Sequence, residues 1–264
     1  MTESLFNLTG HSALVTGAAR GLGAAMAEAL GQAGARLFLN DIDEAALTAR
    51  CKALTAAGIQ AEGIVFDVCD AAAAAKAMTQ INSRCRHLDI LVNNAGIAIY
   101  KGLADTEPED WERVLGVDLT ALYIVAREAA RIMPDHGHGR IINVSSILGL
   151  IARPGILSYV VAKHGVIGMT RALAAELGAR GITCNAIAPG FFETPMNDSL
   201  TADGTFKRMI SGRTPLKRWA RPEELSGPIV FLASAASSFV TGQVLVVDGG
   251  ITTSLFPPEM APGA

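Results

Sequence analysis

The stretch T-G-A-A-R-G-L-G (16–23) follows the short apolar run S-A-L-V-T (12–16) and opens an alanine-rich segment that closes at Gly34. A strand that turns on glycines directly into a helix decides the fold. Gly17, Gly21 and Gly23 let the backbone turn sharply and approach a ligand without a Cβ in the way. The helix N-terminus behind them offers unpaired N–H groups and the positive end of its dipole, a setting suited to a pyrophosphate. The spacing is G-x-x-x-G-x-G, not the G-x-G-x-x-G of the usual dinucleotide fingerprint. Taken alone, the stretch therefore also reads as a structural turn.

Outward from this loop, strand-like and helix-like segments alternate. Strands are expected at 36–40, 63–68, 89–94, 140–145, 182–187 and 243–248. Helices are expected from 43 to about 58, over 71–86, from Pro108 to about Met133, from 157 to 178, and from about Pro222. Continuously apolar strands in such an alternation form a parallel sheet covered on both faces, and right-handed crossovers make it doubly wound. The expected fold is a single α/β domain over 1–264, a Rossmann-type sheet of about seven strands. Residues 190–221 interrupt the rhythm as a candidate substrate lid, and 254–264, with Pro257, Pro258 and Pro262, read as an irregular tail.

Half of the 264 residues are hydrophobic and the net charge is −3, so the chain can bury a large core and lacks the basic block that a nucleic-acid backbone requires. No signal peptide and no apolar run near ~20 residues is visible. Cys51, Cys69, Cys85 and Cys184 are scattered without C-x-x-C spacing, which suits reduced thiols in the cytoplasm and argues against a zinc site. His136 and His138, in P-D-H-G-H-G-R, lack a third ligand and read as solvated loop residues; no metal is expected.

Asp41, at the end of the second strand and 18 residues past Gly23, can accept hydrogen bonds from an adenosine ribose and repels a 2′-phosphate. It also reads as a helix N-terminal residue. Arg20 points the other way, since a cation in the loop would hold a 2′-phosphate; NAD is expected over NADP. Tyr159 and Lys163, in Y-V-V-A-K (159–163), are i and i+4 and hence neighbours on one helical face.

The ordered set T-G-A-A-R-G-L-G, D-V-C-D (67–70), N-N-A-G (93–96), Ser146, Y-V-V-A-K, P-G-F-F-E-T (189–194) and V-D-G-G (247–250) resembles the short-chain dehydrogenases/reductases over nearly the whole chain. The resemblance implies an NAD(P)-dependent oxidoreductase acting on CH–OH groups (EC 1.1.1.-), in which Tyr159 shuttles the alcohol proton. It implies that Lys163 binds the nicotinamide ribose as well as tuning the tyrosine, and that Ser146 hydrogen-bonds the substrate oxygen; Ser145 is a weaker candidate. A phenol titrates near ~10, and lowering it by roughly 3 units takes about 4 kcal/mol. An ammonium at ~4 Å with an effective dielectric of ~20 supplies about that. Burial opposes it, so the positive ring of an oxidised nicotinamide has to help.

The family's fourth residue is usually an asparagine, where this chain has Asp118. It either substitutes for the asparagine, pairs with Lys163 and retunes it, or is structural. The resemblance further places Gly17, Arg20, Gly21, Leu22 and Gly23 at the phosphates, Asp67 and Val68 at the adenine, and Asn94, Ala95 and Gly96 beside the ribose. Pro189, Gly190, Phe192 and Thr194 fall on the nicotinamide side. The N-N-A-G asparagines also read as structural ties.

Within the family, residues 213–225 and 236–252 look most like gluconate 5-dehydrogenase and related sugar-acid or polyol enzymes. Those enzymes often carry basic residues after N-N-A-G, where this chain has I-A-I-Y (97–100). A carboxylate substrate would then lean on Arg153, Lys207, Arg208 or Arg213. Phe191, Phe192, Met196 and Met209 suit an apolar pocket, so hydrophobic ketones and 3-oxoacyl substrates stay open, as does a non-catalytic dinucleotide-binding scaffold. The family usually assembles as homotetramers through the two long helices.

Overall fold

The computed structural model describes residues 5–135, 137–197 and 204–253. Seven strands form one parallel sheet in the order β3-β2-β1-β4-β5-β6-β7. They are β1 (Ser12–Thr16), β2 (Arg36–Asn40), β3 (Ala61–Gly63), β4 (Ile90–Asn93), β5 (Gly139–Val144), β6 (Ile182–Pro189) and β7 (Val244–Val247). The helices between them are α1 (Gly21–Gln32), α2 (Glu44–Ala56), α3 (Ala71–Cys85), α4 (Pro108–Leu115), α5 (Ala121–Ile132), α6 (Leu157–Leu177), α7 (Thr205–Arg213) and α8 (Ser226–Ala233).

Alternate residues of each strand face opposite layers, and both layers are apolar. Ala13, Val15, Leu37 and Leu39 pack with Met26 and Leu30 of α1 and with Ile229 and Leu232 of α8. Leu14, Phe38, Leu91 and Ile141 pack on the other face with Met78 and Ile81 of α3 and with Val125 and Ala129 of α5. Each such fully buried side chain contributes about 1.5–3 kcal/mol relative to exposure, which explains why the central strands read as unbroken apolar runs. Asp43 and Asp70 start α2 and α3 by accepting backbone N–H groups of the first turn. Strand order reverses at β1, between β2 and β4, so a crevice opens there at the C-terminal strand ends.

Three elements differ from the sequence expectation. The run 63–68 is not a ladder strand: β3 ends at Gly63, and the side-chain amide of Asn40 donates instead to the carbonyls of Ile64 and Phe66. The helix expected from Pro108 is broken by a π turn over Gly116–Thr120, where the Ala121 N–H reaches back to the Gly116 carbonyl. The last helix starts as a 3₁₀ turn over Pro222–Leu225 before α8. The segment 190–221 holds a 3₁₀ turn (Pro195–Asn197) and α7; its residues 198–203, like the tail 254–264, lie outside the described residues.

Candidate active site

The C-terminal ends of the strands enclose a cavity of about 1340 Å³. Its wall runs from the glycine loop past Asp41, Asp67 and Val68, through Asn94–Tyr100 and Asp118, to Ser146, Tyr159 and Lys163, and on to Pro189–Asn197. Every side chain put forward from the sequence for the cofactor or the chemistry lines this one cavity.

At the loop end, Gly17 has φ +62°, and a Cβ there would lie 2.9 Å from the Ala95 Cα. Gly21 also has positive φ, but its missing Cβ would meet only Thr194, at 3.9 Å, so the bare backbone faces the cavity. Arg20 supplies no side-chain cap to α1 and no acid occupies its first turn. An uncapped helix N-terminus behind an open glycine fits the pyrophosphate of a dinucleotide.

Asp41 ties this loop to the end of β2, its two carboxylate oxygens accepting the Ala19 and Asp43 N–H groups, each at 3.1 Å. The guanidinium of Arg20 pairs with the Asp43 carboxylate rather than standing free. The asparagines of N-N-A-G are spent inside the fold. Asn94 donates to the carbonyls of Thr16 and Gly17, and Asn93 to the Asn143 side chain and the Leu122 carbonyl. Phe192 reaches the cavity wall, but its side chain is buried in the core beside α1.

The other end of the cavity is built on α6. Its buried stripe runs Lys163, Val166, Ile167, Thr170 and Ala174, so the lysine occupies a core position that normally belongs to an apolar side chain. Burial there demands a counter-charge, and the π turn supplies one, since an extra residue in a helical turn re-aims its neighbours. Asp118, fully buried, places Oδ2 3.1 Å from Lys163 Nζ and accepts the Ile97 N–H at 2.7 Å through Oδ1. The ammonium also donates to the Val144 carbonyl at 3.2 Å and sits 5.3 Å from the centre of the Tyr159 ring.

Ser145 donates to the Lys163 carbonyl at 2.9 Å and thereby locks α6 to β5. Ser146 carries its hydroxyl at the cavity wall and accepts the Leu148 N–H. Gly149 completes the lock, because a Cβ there would fall 2.6 Å from the Lys163 carbonyl oxygen. The backbone groups of Val144 and Ile97 and the fit at Gly149 are parts of the site that no side-chain pattern exposes.

At the Tyr159 phenol, burial opposes Lys163, as expected, and the pKa is raised. Burial raises it; Lys163 and a hydrogen-bonding contact from Ser146 lower it, and Asp118 raises it again. Burial works against the Lys163 ammonium too, but the Asp118 carboxylate and Tyr159 outweigh it and the lysine is raised. Burial raises Asp118 against the pull of Lys163 and the Ile97 N–H. The lysine direction decides the state of the pair: an ammonium beside a carboxylate. One correction concerns His138, which is not a solvated loop residue. It packs against His11, the tilted rings 4.2 Å apart at their centres, and donates from Nε2 to the Ala233 carbonyl. His136 lies outside the described residues.

With this geometry in place, similarity to known proteins identifies the lineage. A family model described as enoyl-(acyl carrier protein) reductase matches residues 17–252. The chain belongs to the short-chain dehydrogenase/reductase family. It is 41% identical over 251 residues to gluconate 5-dehydrogenase of Gluconobacter oxydans (strain 621H), covering 95% of this chain and 98% of that one. It is 43% identical to cis-4-hydroxycyclohexanecarboxylate dehydrogenase of Sinomonas cyclohexanicum, with 91% and 96% covered. A crystal structure of gluconate 5-dehydrogenase from Burkholderia cenocepacia J2315, in complex with NADP and tartrate, superimposes with a TM-score of 0.93. The identity is 40%, over 97% of this chain and 100% of that one. The protein is therefore an oxidoreductase that interconverts alcohol and carbonyl groups, which sets the scaffold reading aside.

Proposed function

We propose that the protein is an NAD-linked dehydrogenase of a sugar acid or related hydroxy acid, working on a secondary alcohol or the matching ketone. The observation that carries this reading is the meeting of Ser146, Tyr159 and Lys163 on one wall of the cavity that begins at the glycine loop. Tyr159 is the acid–base group, its phenolate taking the hydroxyl proton in oxidation and its phenol returning one in reduction. Ser146 donates to the substrate oxygen as charge develops there. Lys163 holds the ribose and, with Asp118 behind it, positions and tunes the tyrosine.

A bound dinucleotide supplies the hydride acceptor or donor. Gly17, Arg20, Gly21, Leu22 and Gly23 would hold its phosphates, Asp41 its adenosine ribose, and Asp67 and Val68 its adenine. Asn94, Ala95 and Gly96 would flank the second ribose with Tyr159 and Lys163, and Pro189, Gly190, Phe192 and Thr194 would line the nicotinamide side. The preference for NAD is supported by charge: a 2′-phosphate at the end of β2 would meet Asp41 and Asp43, the latter already paired with Arg20. The NADP in the Burkholderia structure favours the opposite preference. The names of the Gluconobacter and Sinomonas relatives support the substrate class, since each describes a carboxylic acid with a hydroxyl several carbons away. An apolar stretch of the wall, with Ile97, Ile99, Ile156 and Phe191, favours hydrophobic ketones or 3-oxoacyl substrates as the second reading.

The same reading takes residues 1–264 as one domain, 190–221 as its lid, and the cytoplasm as its setting. Among the described residues no helix is long and apolar enough to cross a membrane. Assembly as a homotetramer through α4–α5 and α6 is supported by Tyr123 and Val161, exposed on those helices. The test is the NADH absorbance band on incubation with NAD and D-gluconate, cis-4-hydroxycyclohexanecarboxylate, neutral cyclic alcohols and 3-hydroxyacyl thioesters. Turnover confined to the last two would overturn the acid reading.

A further inference from the structure

Four cations reach the cavity wall: Arg20, Arg113, Arg153 and Lys163. Two have a carboxylate partner: Arg20 pairs with Asp43 and Lys163 with Asp118. Arg113 has none among the described residues, and Asp110, one turn back on α4, is taken by Lys101 at 2.5 Å. Arg153 also has no carboxylate partner among the described residues, but its setting is different. Its guanidinium lies over two rings instead, 5.6 Å from the centre of Tyr100 and 5.6 Å from that of Phe206. Aromatic faces hold a guanidinium in place without neutralising it.

The surroundings give this cation a direction. Tyr100, Arg153 and Tyr159 line the same cavity; burial raises the Tyr100 phenol, Arg153 lowers it and Tyr159 raises it. Ile156, Tyr159, Phe191 and Phe206 share one apolar cluster, of which the first three line the cavity. A cation held over rings therefore shares a cavity wall, partly apolar, with the proton-transfer group. The other basic candidates fall away: Lys207 is taken by Glu193 at 2.6 Å, and neither it, Arg208 nor Arg213 lines the cavity.

We propose that Arg153 determines specificity by taking the substrate carboxylate, so that a carbinol several carbons away comes to rest at Ser146 and Tyr159. The planar guanidinium can offer two parallel N–H groups to both carboxylate oxygens. The assignment deepens the acid reading above and rests on it, and it selects for substrates with the acid at one end and the reacting CH–OH toward the other.

The experiment compares the wild type with Arg153→Gln and Arg153→Lys on two acids, D-gluconate and cis-4-hydroxycyclohexanecarboxylate, and on their neutral carboxamides. Turnover is measured with NAD, and binding to the NAD-loaded protein by calorimetry. Arg153→Gln raises KM and Kd for an acid by about 10- to 100-fold, the loss expected for a hydrogen-bonded charge. The change falls on KM far more than on kcat, the carboxamides move far less, and Arg153→Lys recovers part of the loss. Equal losses on acid and amide would overturn the assignment in favour of a prop for Phe206. Unchanged acid KM in Arg153→Gln would overturn it while leaving the acid reading in place. Acids that bind through Arg153 without being oxidised would uphold the anion site and overturn the acid reading instead. Acids that neither bind nor react would overturn both.

Discussion

Lys163 Nζ lies 3.1 Å from Asp118 Oδ2, across the gap between α6 and the π turn, with both side chains out of solvent. The lysine is therefore half of an ion pair, and its charge is not wholly available to the neighbouring phenol. Asp118→Asn removes the one anionic contribution that raises Tyr159 while keeping an oxygen for the Ile97 N–H. Alcohol oxidation uses the phenolate, so kcat/KM rises with pH through the Tyr159 titration. Lowering that pKa moves the rising limb to lower pH, by about one unit. The check is the pH–rate profile of the two proteins. A limb that stays in place, or moves to higher pH, would remove Asp118 from the tuning of Tyr159.

Tyr159 stands on the cavity wall with Ser146, while Lys163 is locked in the core by Val144 and Asp118. Tyr159→Phe deletes only the hydroxyl, leaving the ring under the ammonium and the glycine loop untouched. Turnover is expected to drop by about 10²–10⁴-fold, the usual worth of a positioned acid–base group. Dinucleotide binding, read by fluorescence titration, should stay within about threefold, because one uncharged hydrogen bond contributes little to affinity. Substantial residual turnover would transfer the proton step to another group.

Much of this site was legible in the chain because its parts sit at strand ends, where glycines, Asp41 and Ser146 interrupt otherwise apolar runs. Six of the seven strands were legible for the same reason: a sheet buried on both faces leaves no polar alternation to confuse. The failures have local causes. The run 63–68 has the composition of a strand, but Asn40 takes its carbonyls in place of a neighbouring strand. The π turn at Gly116–Thr120 leaves no compositional mark, since it is a one-residue change in backbone pairing. Sequence spacing showed that Tyr159 and Lys163 were neighbours; that Asp118, 45 positions earlier, pairs with the lysine was one of three alternatives, and the fold selects it. Nor could it rank Arg153 above Lys207, because only the fold reveals which cation already has a partner.

Asp41 is joined by hydrogen bonds to the backbone of the glycine loop, and Asp43 neutralises Arg20 beside it. Removing the charge with Asp41→Asn should weaken the repulsion of a 2′-phosphate and loosen the grip on a free ribose. The ratio of kcat/KM for NAD over NADP is expected to fall by about 10- to 100-fold. The measurement is initial rates with each dinucleotide at a fixed concentration of the alcohol. A wild type that already prefers NADP, or a ratio that does not move, would assign cofactor choice to Arg20 instead.

His138 carries a pH dependence far from the cavity. Burial, with Arg140 and His11 adding to it, pulls its imidazole down from 6.5 to about 4, against the Ala233 carbonyl and Asp89, which raise it. The folded protein thus keeps this ring neutral at pH values where the unfolded chain protonates it. Between about 6.5 and about 4 the unfolded state binds more protons, so stability rises with pH across that window and is lost as pH falls through it. Allowing for the ring's contact with solvent, the loss is on the order of 1 kcal/mol. His138→Gln keeps a donor for the Ala233 carbonyl but cannot titrate. Its Tm should fall less than that of the wild type when the pH is lowered from about 7 to about 5. Parallel Tm curves for the two proteins would place the acid sensitivity elsewhere.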